Sequence, residues 1–239
     1  MLEHREIALL REKFSEKELN EAIRRAENGE PLAYLLGEWY FYGLTFKLSR
    51  DCLIPRPDTE HTVEKAIELI PKNGAFIDLC TGSGCIAISV KKHRPDLTGY
   101  ALDISEGALE MAKINASYNG AAVTFFQGDV LSSHPQPTVP MLDAVISNPP
   151  YIKTEVLKGL EVAKSEPIIA LDGGEDGMIF YRNIIKVYAP ILKENGHFIF
   201  EIGYDQGQDI AELAEVNGFS CSVYKDYGGN DRVAVLKRL

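Results

Sequence analysis

An α/β fold with a parallel sheet covered by helices on both faces is predicted by three features of this 239-residue sequence. From about residue 58, β-prone apolar runs alternate with helical patterns, which calls for crossover connections and hence parallel strands. The runs are nearly continuous in apolar residues, as strands buried on both faces are. Composition is that of a globular chain, 45% hydrophobic and 25% charged, long enough to bury roughly 70–75% of its unfolded surface.

The elements follow in order. Leu2, Ile7, Leu9, Leu10 and Phe14 form a helical stripe, and Ser15-Glu16-Lys17-Glu18 is a capping box that opens a second helix through Leu19, Ala22, Ile23 and Ala26. Asn28-Gly29 closes it before Pro31, so residues 1–30 read as a short helical segment. Residues 31–57 connect it to the rest, with a short helix and a β-hairpin around Gly43. Six aromatics between Tyr34 and Phe46 are either a ligand platform or core filling. The main domain is expected over 58–239. Asp58 and Thr59 are placed to cap its first helix, which Pro71 and Gly74 close. Strands follow at 75–80, 97–104, 123–129, 142–151 and 196–203, with helices at 82–93, 105–118, 176–193 and 206–217. An irregular stretch spans 152–175, and 219–225 with 232–238 form a terminal hairpin.

Net charge is −10, and residues 1–50 hold 8 basic and 9 acidic groups, so the deficit lies in 51–239. Tight duplex binding draws on a basic surface, and the longest Lys/Arg cluster here is Lys91-Lys92. Charge therefore argues against a nucleic-acid partner. No run of about 18 apolar residues signals a membrane helix, and the charged N-terminus has no signal-peptide core, which points to the cytoplasm. Cys52, Cys80, Cys85 and Cys221, with five scattered histidines, show no zinc spacing, so reduced thiols and no metal are expected.

The loop Asp78-Leu79-Cys80-Thr81-Gly82-Ser83-Gly84 lies where the first parallel strand turns into a helix. Glycines there let the backbone approach a ligand, in the crevice where doubly wound sheets bind ligands. Asp103, followed by Ile104, ends the second strand, where a carboxylate accepts ribose hydroxyls; Asp129, followed by Val130, ends the third, within reach of an adenine amine. Gly82-x-Gly84-x-x-Ala87 also satisfies the loose dinucleotide pattern, so the loop alone does not separate S-adenosylmethionine from NAD. Each aspartate alone also admits a reading as a strand-end cap, though the lesser one; both on one edge favour a shared ligand.

Asn148-Pro149-Pro150-Tyr151 ends the fourth strand. Two prolines fix the backbone and lack N–H groups, leaving a carbonyl rigidly aimed. A planar NH₂ group carries two donors, for which the Asn148 oxygen and the Pro149 carbonyl are two acceptors, with Tyr151 against its flat face. This arrangement suits methylation of a conjugated nitrogen. Hydride chemistry with NAD fits less well, since no acid or base is placed for it.

These motifs together resemble the release factor glutamine methyltransferase family, the protein-(glutamine-N(5)) methyltransferases that modify the Gly-Gly-Gln motif of class I peptide chain release factors. The resemblance runs from about Pro31 to Leu239 through Pro31-Leu-Ala-Tyr-Leu-Leu-Gly-Glu38, Ile54-Pro-Arg-Pro-Asp-Thr-Glu60, the loop Asp78–Gly84, Asn148-Pro-Pro-Tyr151-Ile152, Glu166-Pro167, Ala170-Leu171, Gly173-Gly174 and Asp226-Tyr-Gly-Gly-Asn-Asp-Arg232. It implies a Rossmann-like class I methyltransferase fold, a seven-stranded mostly parallel sheet with an antiparallel C-terminal strand. It also implies S-adenosylmethionine held by Asp78, Cys80, Thr81, Gly82, Ser83, Gly84, Asp103, Ile104, Asp129, Val130 and Asn148. Asn148, Pro149, Pro150 and Tyr151 would hold the glutamine amide, with Asn148, Pro149 and Tyr151 acting in catalysis and Arg56 and Pro57 walling the site. The implied partner is a class I release factor met by a monomeric chain, without membrane. Members usually carry a longer helical domain before the Pro-x-x-Tyr-x-x-Gly segment, and thirty residues precede it here, so contacts to the substrate protein are expected to differ. A related methyltransferase acting on a ribosomal-protein glutamine or a nucleic-acid adenine is one alternative, and an inactive S-adenosylmethionine-binding protein is another.

Overall fold

The computed structural model describes residues 2–238. Met1 and Leu239, the outermost residues of the segments expected at 1–30 and 58–239, lie outside the described residues. Helices α1 (His4–Lys13) and α2 (Glu16–Glu27) form as the sequence predicts, with Ser15 and Glu18 closing the capping box. Leu10 of α1, Ala22 of α2 and Leu35 of α3 (Leu32–Leu36) share one small apolar cluster. β1 (Glu38–Phe41) and β2 (Leu44–Lys47) form the predicted antiparallel hairpin. Its aromatics divide by face: Phe41 and Phe46 are fully buried in the main core, 6.0 Å apart, while Tyr40 faces solvent. Core filling, rather than a ligand platform, is the role of the two phenylalanines.

The remaining elements are α4 (Glu60–Leu69), β3 (Ala75–Leu79), α5 (Cys85–His93), β4 (Thr98–Asp103), α6 (Glu106–Asn119), β5 (Val123–Gln127), β6 (Leu142–Ser147), α7 (Thr154–Leu157), α8 (Ile179–Tyr188), β7 (Leu192–Glu201), α9 (Gly207–Val216), β8 (Phe219–Lys225) and β9 (Asp231–Arg238). The seven main strands lie in the order β5-β4-β3-β6-β7-β9-β8, with β5 to β7 parallel and β9 antiparallel to both neighbours. Strand order reverses between β3 and β6, which opens a crevice at their C-terminal ends. The Asn115 side chain accepts the Lys47 N–H at 2.6 Å and donates to the Lys47 carbonyl at 2.9 Å, fastening the hairpin to α6.

Two apolar layers sandwich the sheet. Tyr181, Ile184 and Tyr188 of α8, with Ile210 of α9, pack on one face against Val145, Phe198 and Phe200. Val63 and Ala66 of α4 and Ile88 of α5 pack on the other against Phe76, Ala144 and Ile199. Each fully buried phenylalanine contributes about 2–3 kcal/mol of transfer free energy.

Several boundaries differ from expectation. The helix predicted over 176–193 is α-helical only at 179–188, then tightens into a 3₁₀ turn at Ala189–Ile191, since Pro190 supplies no N–H. β7 starts at Leu192, four residues early, because Leu192 pairs with Leu142 across a register shift. The stretch 152–175 is not wholly irregular: it holds α7, 3₁₀ turns at 161–164 and 168–170, and a parallel bridge from Ile152 to Asp172. Thr59 stands at the N-cap position of α4 as expected, but neither it nor Asp58 supplies a side-chain cap. Both lie in a 3₁₀ turn (Pro57–Thr59); Asp58 instead pairs with Arg232 at 3.4 Å and Thr59 turns toward Asn148.

Candidate active site

The glycine loop is shaped from behind by a buried carboxylate. Asp78 Oδ2 accepts the Thr81 hydroxyl at 2.5 Å and the Ala87 N–H at 3.2 Å, while Oδ1 has no partner among the described residues. Burial pushes this carboxyl up to about 7, against the pull of those two donors. Cys80 takes φ +58° at the turn, a left-handed conformation that glycine adopts without strain. The loop is then tied to β4: Asp103 Oδ2 accepts the Gly82 N–H at 2.8 Å and Oδ1 the Ser105 N–H at 3.0 Å. Burial raises the Asp103 carboxyl above the ordinary range, opposed by those backbone donors.

A cavity of about 210 Å³ opens over the ends of these strands, lined by Cys80, Gly82, Asp103, Ile104, Asp129, Val130 and Asn148. Phe180 of α8 and Leu131 add apolar wall. Asp129 is exposed, and its Oδ1 accepts the Leu131 N–H at 2.8 Å. A second cavity, about 250 Å³, lies beside the first and is lined by Arg56, Asn148, Tyr151, Ile152, Val162 and Glu201. Leu53, Asn148 and Ala170 belong to both walls. Asn148 thus stands between the two spaces, its Nδ2 donating to Thr59 Oγ1 at 3.3 Å.

The segment after Asn148 is clamped rather than loose. The Ile152 N–H donates to the Leu171 carbonyl at 3.0 Å and the Gly173 N–H to the Ile152 carbonyl at 2.8 Å. A Cβ on Gly173 would fall 2.7 Å from Tyr151 Cα, so only glycine allows this approach. Gln206 donates to the Tyr151 carbonyl at 3.3 Å and the Gly177 carbonyl at 3.1 Å, and accepts the Gly203 N–H at 2.8 Å. Burial pushes the Tyr151 phenol up to about 12.

Not every residue expected at the site lines these cavities. Asp78, Thr81 and Ser83 are buried behind the loop, and Gly84 caps the N-terminus of α5; the Thr81–Asp78 hydrogen bond holds the turn that brings Cys80 and Gly82 forward. Pro149 is buried, with Pro150 in the wall of the first cavity. Pro57 is exposed and lines neither space. Sequence reasoning missed Thr59, Glu201, Gln206 and Phe180. Glu201 alone carried a signal, being acidic at the end of a buried parallel strand, as Asp103 is.

Sheet order, reversed β9 and a cavity over the parallel strand ends are those of the class I methyltransferase fold. Residues 62–165 match the family model described as "Methyltransferase small domain". A methyltransferase from Pyrococcus furiosus superposes with TM-score 0.62 at 17% identity, covering 95% of this chain and all of that one, a likeness of fold alone. The chain is 39% identical over 224 residues to a protein of Thermodesulfovibrio yellowstonii named "Release factor glutamine methyltransferase", covering 90% of this chain and 79% of that one. It is 43% identical over 229 residues to a protein of the same name from Moorella thermoacetica, covering 91% and 78%. The chain belongs to the release factor glutamine methyltransferase family. Among the described residues no helix is long and apolar enough to cross a membrane.

Proposed function

We propose that this enzyme transfers a methyl group from S-adenosylmethionine to the side-chain amide nitrogen of the Gly-Gly-Gln glutamine in a class I peptide chain release factor. The observation that carries the reading is Asn148 in the wall common to two adjoining cavities, one for each reactant. The first cavity suits the cofactor chemically: Asp103 offers a carboxylate to ribose hydroxyls, Asp129 an acceptor to the adenine amine, and Ile104, Val130 and Phe180 an apolar surface to the base. S-adenosylmethionine supplies, when bound, a methyl group on an electron-poor sulfonium.

An amide nitrogen is a weak nucleophile because its lone pair is delocalised into the carbonyl. Asn148 Oδ1 and the Pro149 carbonyl accept its two N–H groups, and Tyr151 packs on its flat face. Acceptors that prefer a more tetrahedral nitrogen stabilise the transition state above the ground state. Alignment across the shared wall contributes roughly 7–11 kcal/mol, and the proton leaves after transfer. The partner is met by a monomeric chain in the cytoplasm, and the net charge of −10 favours a protein substrate over nucleic acid.

The test is intact mass of a purified class I release factor after incubation with this protein and S-adenosylmethionine. A one-methyl gain mapped to the Gly-Gly-Gln glutamine is expected. With Asn148→Ala the rate should fall at least about 10²-fold, with a much smaller loss of cofactor affinity. Full turnover by that variant would overturn the mechanism, and no gain with the wild type would overturn the substrate.

A further inference from the structure

Glu201 is buried at the end of β7, 1% exposed, yet lines the second cavity, and its Oε2 has no hydrogen-bond partner among the described residues. An unpartnered buried carboxylate oxygen is costly and needs a reason. Its surroundings supply one. Glu201 and Asn148 line the same cavity, Asn148 Nδ2 meets the Oγ1 of buried Thr59 at 3.3 Å, and both Thr59 and Asn148 favour the ionised form of Glu201. A hydroxyl has one proton to give and lone pairs to receive.

We infer that Glu201 is a positioning residue: its carboxylate accepts a hydrogen bond from the Thr59 hydroxyl, so that Thr59 Oγ1 must accept from Asn148 Nδ2, which turns Asn148 Oδ1 toward the substrate amide. The inference rests on the functional reading above and deepens it. When Glu201 is protonated, its own O–H donates to Thr59 Oγ1, and the Thr59 hydroxyl turns to donate toward Asn148. The side-chain amide then gains by flipping its oxygen to Thr59, which aims NH₂ at the substrate NH₂, donor against donor.

Burial is the main force on Glu201, pushing it up to about 7; Thr59, the Arg232 charge and Asn148 oppose it, and Asp58 reinforces it. Tyr151, Tyr181 and Cys85 also feel its charge. Orientation of Asn148 therefore switches within the neutral range, with the productive state on the alkaline side.

The experiment compares wild type, Glu201→Gln, Glu201→Asp, Thr59→Val and the Thr59→Val/Glu201→Gln pair, by kcat and KM toward a class I release factor between pH 5.5 and 9. A parallel readout needs no substrate: the side-chain ¹⁵N resonances of Asn148 over the same range. Wild-type kcat should rise through about pH 7 and then level. Glu201→Gln should lose that step and lie about tenfold to a hundredfold lower in kcat, the loss of one charge-assisted hydrogen bond, with KM little changed. Glu201→Asp should retain a step, and the double variant should be no worse than either single change, as members of one relay are not additive. The Asn148 resonances should shift through about pH 7 in wild type and stay fixed in Glu201→Gln. Wild-type kcat in Glu201→Gln, or a step that survives there and so belongs to another group such as Asp78, overturns the inference. An inactive wild type overturns the substrate assignment instead, and the Asn148 resonances then decide the relay alone.

Discussion

The guanidinium of Arg56 pairs with the carboxylate of Glu166, 110 positions later in the chain, and the same carboxylate accepts the Ile54 N–H at 3.1 Å. Glu166 is buried, so this pair sutures the segment before α4 to the loop that carries Val162 over the second cavity. Arg56→Met would leave a buried carboxylate with one backbone donor. Because Arg56 is itself partly exposed, the expected cost is about 1–3 kcal/mol rather than that of a fully buried pair. Urea unfolding measures it, and KM for the release factor should rise while cofactor affinity holds.

Asp103 combines two tasks, bracing Gly82 and offering its carboxylate to the cavity. Asp103→Asn should weaken S-adenosylhomocysteine binding about tenfold to a hundredfold by calorimetry, the usual worth of charge-assisted hydrogen bonds. Since burial holds this carboxyl above the ordinary range, wild-type affinity should start to fall at a higher pH than an exposed aspartate would dictate. An unchanged affinity in the variant would remove Asp103 from the cofactor site.

Gly177 stands at φ +75°, where an added Cβ would collide with the Tyr151 carbonyl and lie 2.9 Å from Gln206 Nε2. Gly177→Ala therefore combines backbone strain with overpacking and should cost about 2–4 kcal/mol. The blow falls on the atoms that hold Tyr151, so kcat should drop in whatever protein remains folded. A stable variant with normal kcat would show that the Tyr151 backbone needs no such clamp.

Asp78 makes stability depend on pH in the direction opposite to that of a salt-bridged carboxylate. Its folded pKa, about 7, exceeds the ordinary 3.8, so between these values the folded chain holds a proton that the unfolded chain has lost. Stability is then highest on the acid side and falls as pH rises through the folded value, by at most roughly 4 kcal/mol. Urea unfolding at pH 5.5 and pH 8 should show this fall in wild type and a smaller one in Asp78→Asn. Equal slopes would mean that water reaches the Asp78 carboxylate.

The order of strands and helices was legible because each element carries its own local pattern, and Asp103, Asp129 and Asn148 because they sit at strand ends where such a sheet binds ligands. Thr59 was read as a helix cap, a role its neighbours in sequence support; its partner Asn148 lies 89 positions away, beyond any local pattern. Gln206 and Phe180 were missed for the same reason, being brought to the site by α9 and α8 packing. The turns within 152–175 lack periodicity altogether, and their conformation follows from the bonds of Ile152 and Gly173 rather than from propensity.

β9 lies inside the sheet, wedged between β7 and β8, although it is made after both. On a translating ribosome β7 must therefore wait, one edge bare, until residues 231–238 have emerged. Those residues bring Arg232 beside Glu201 in the same event. A nascent chain can assemble the glycine loop and the crevice early, but the substrate side of the site is finished only with the last strand. Until then the exposed edge of β7 is a surface for chaperones, or for another chain's unpaired strand.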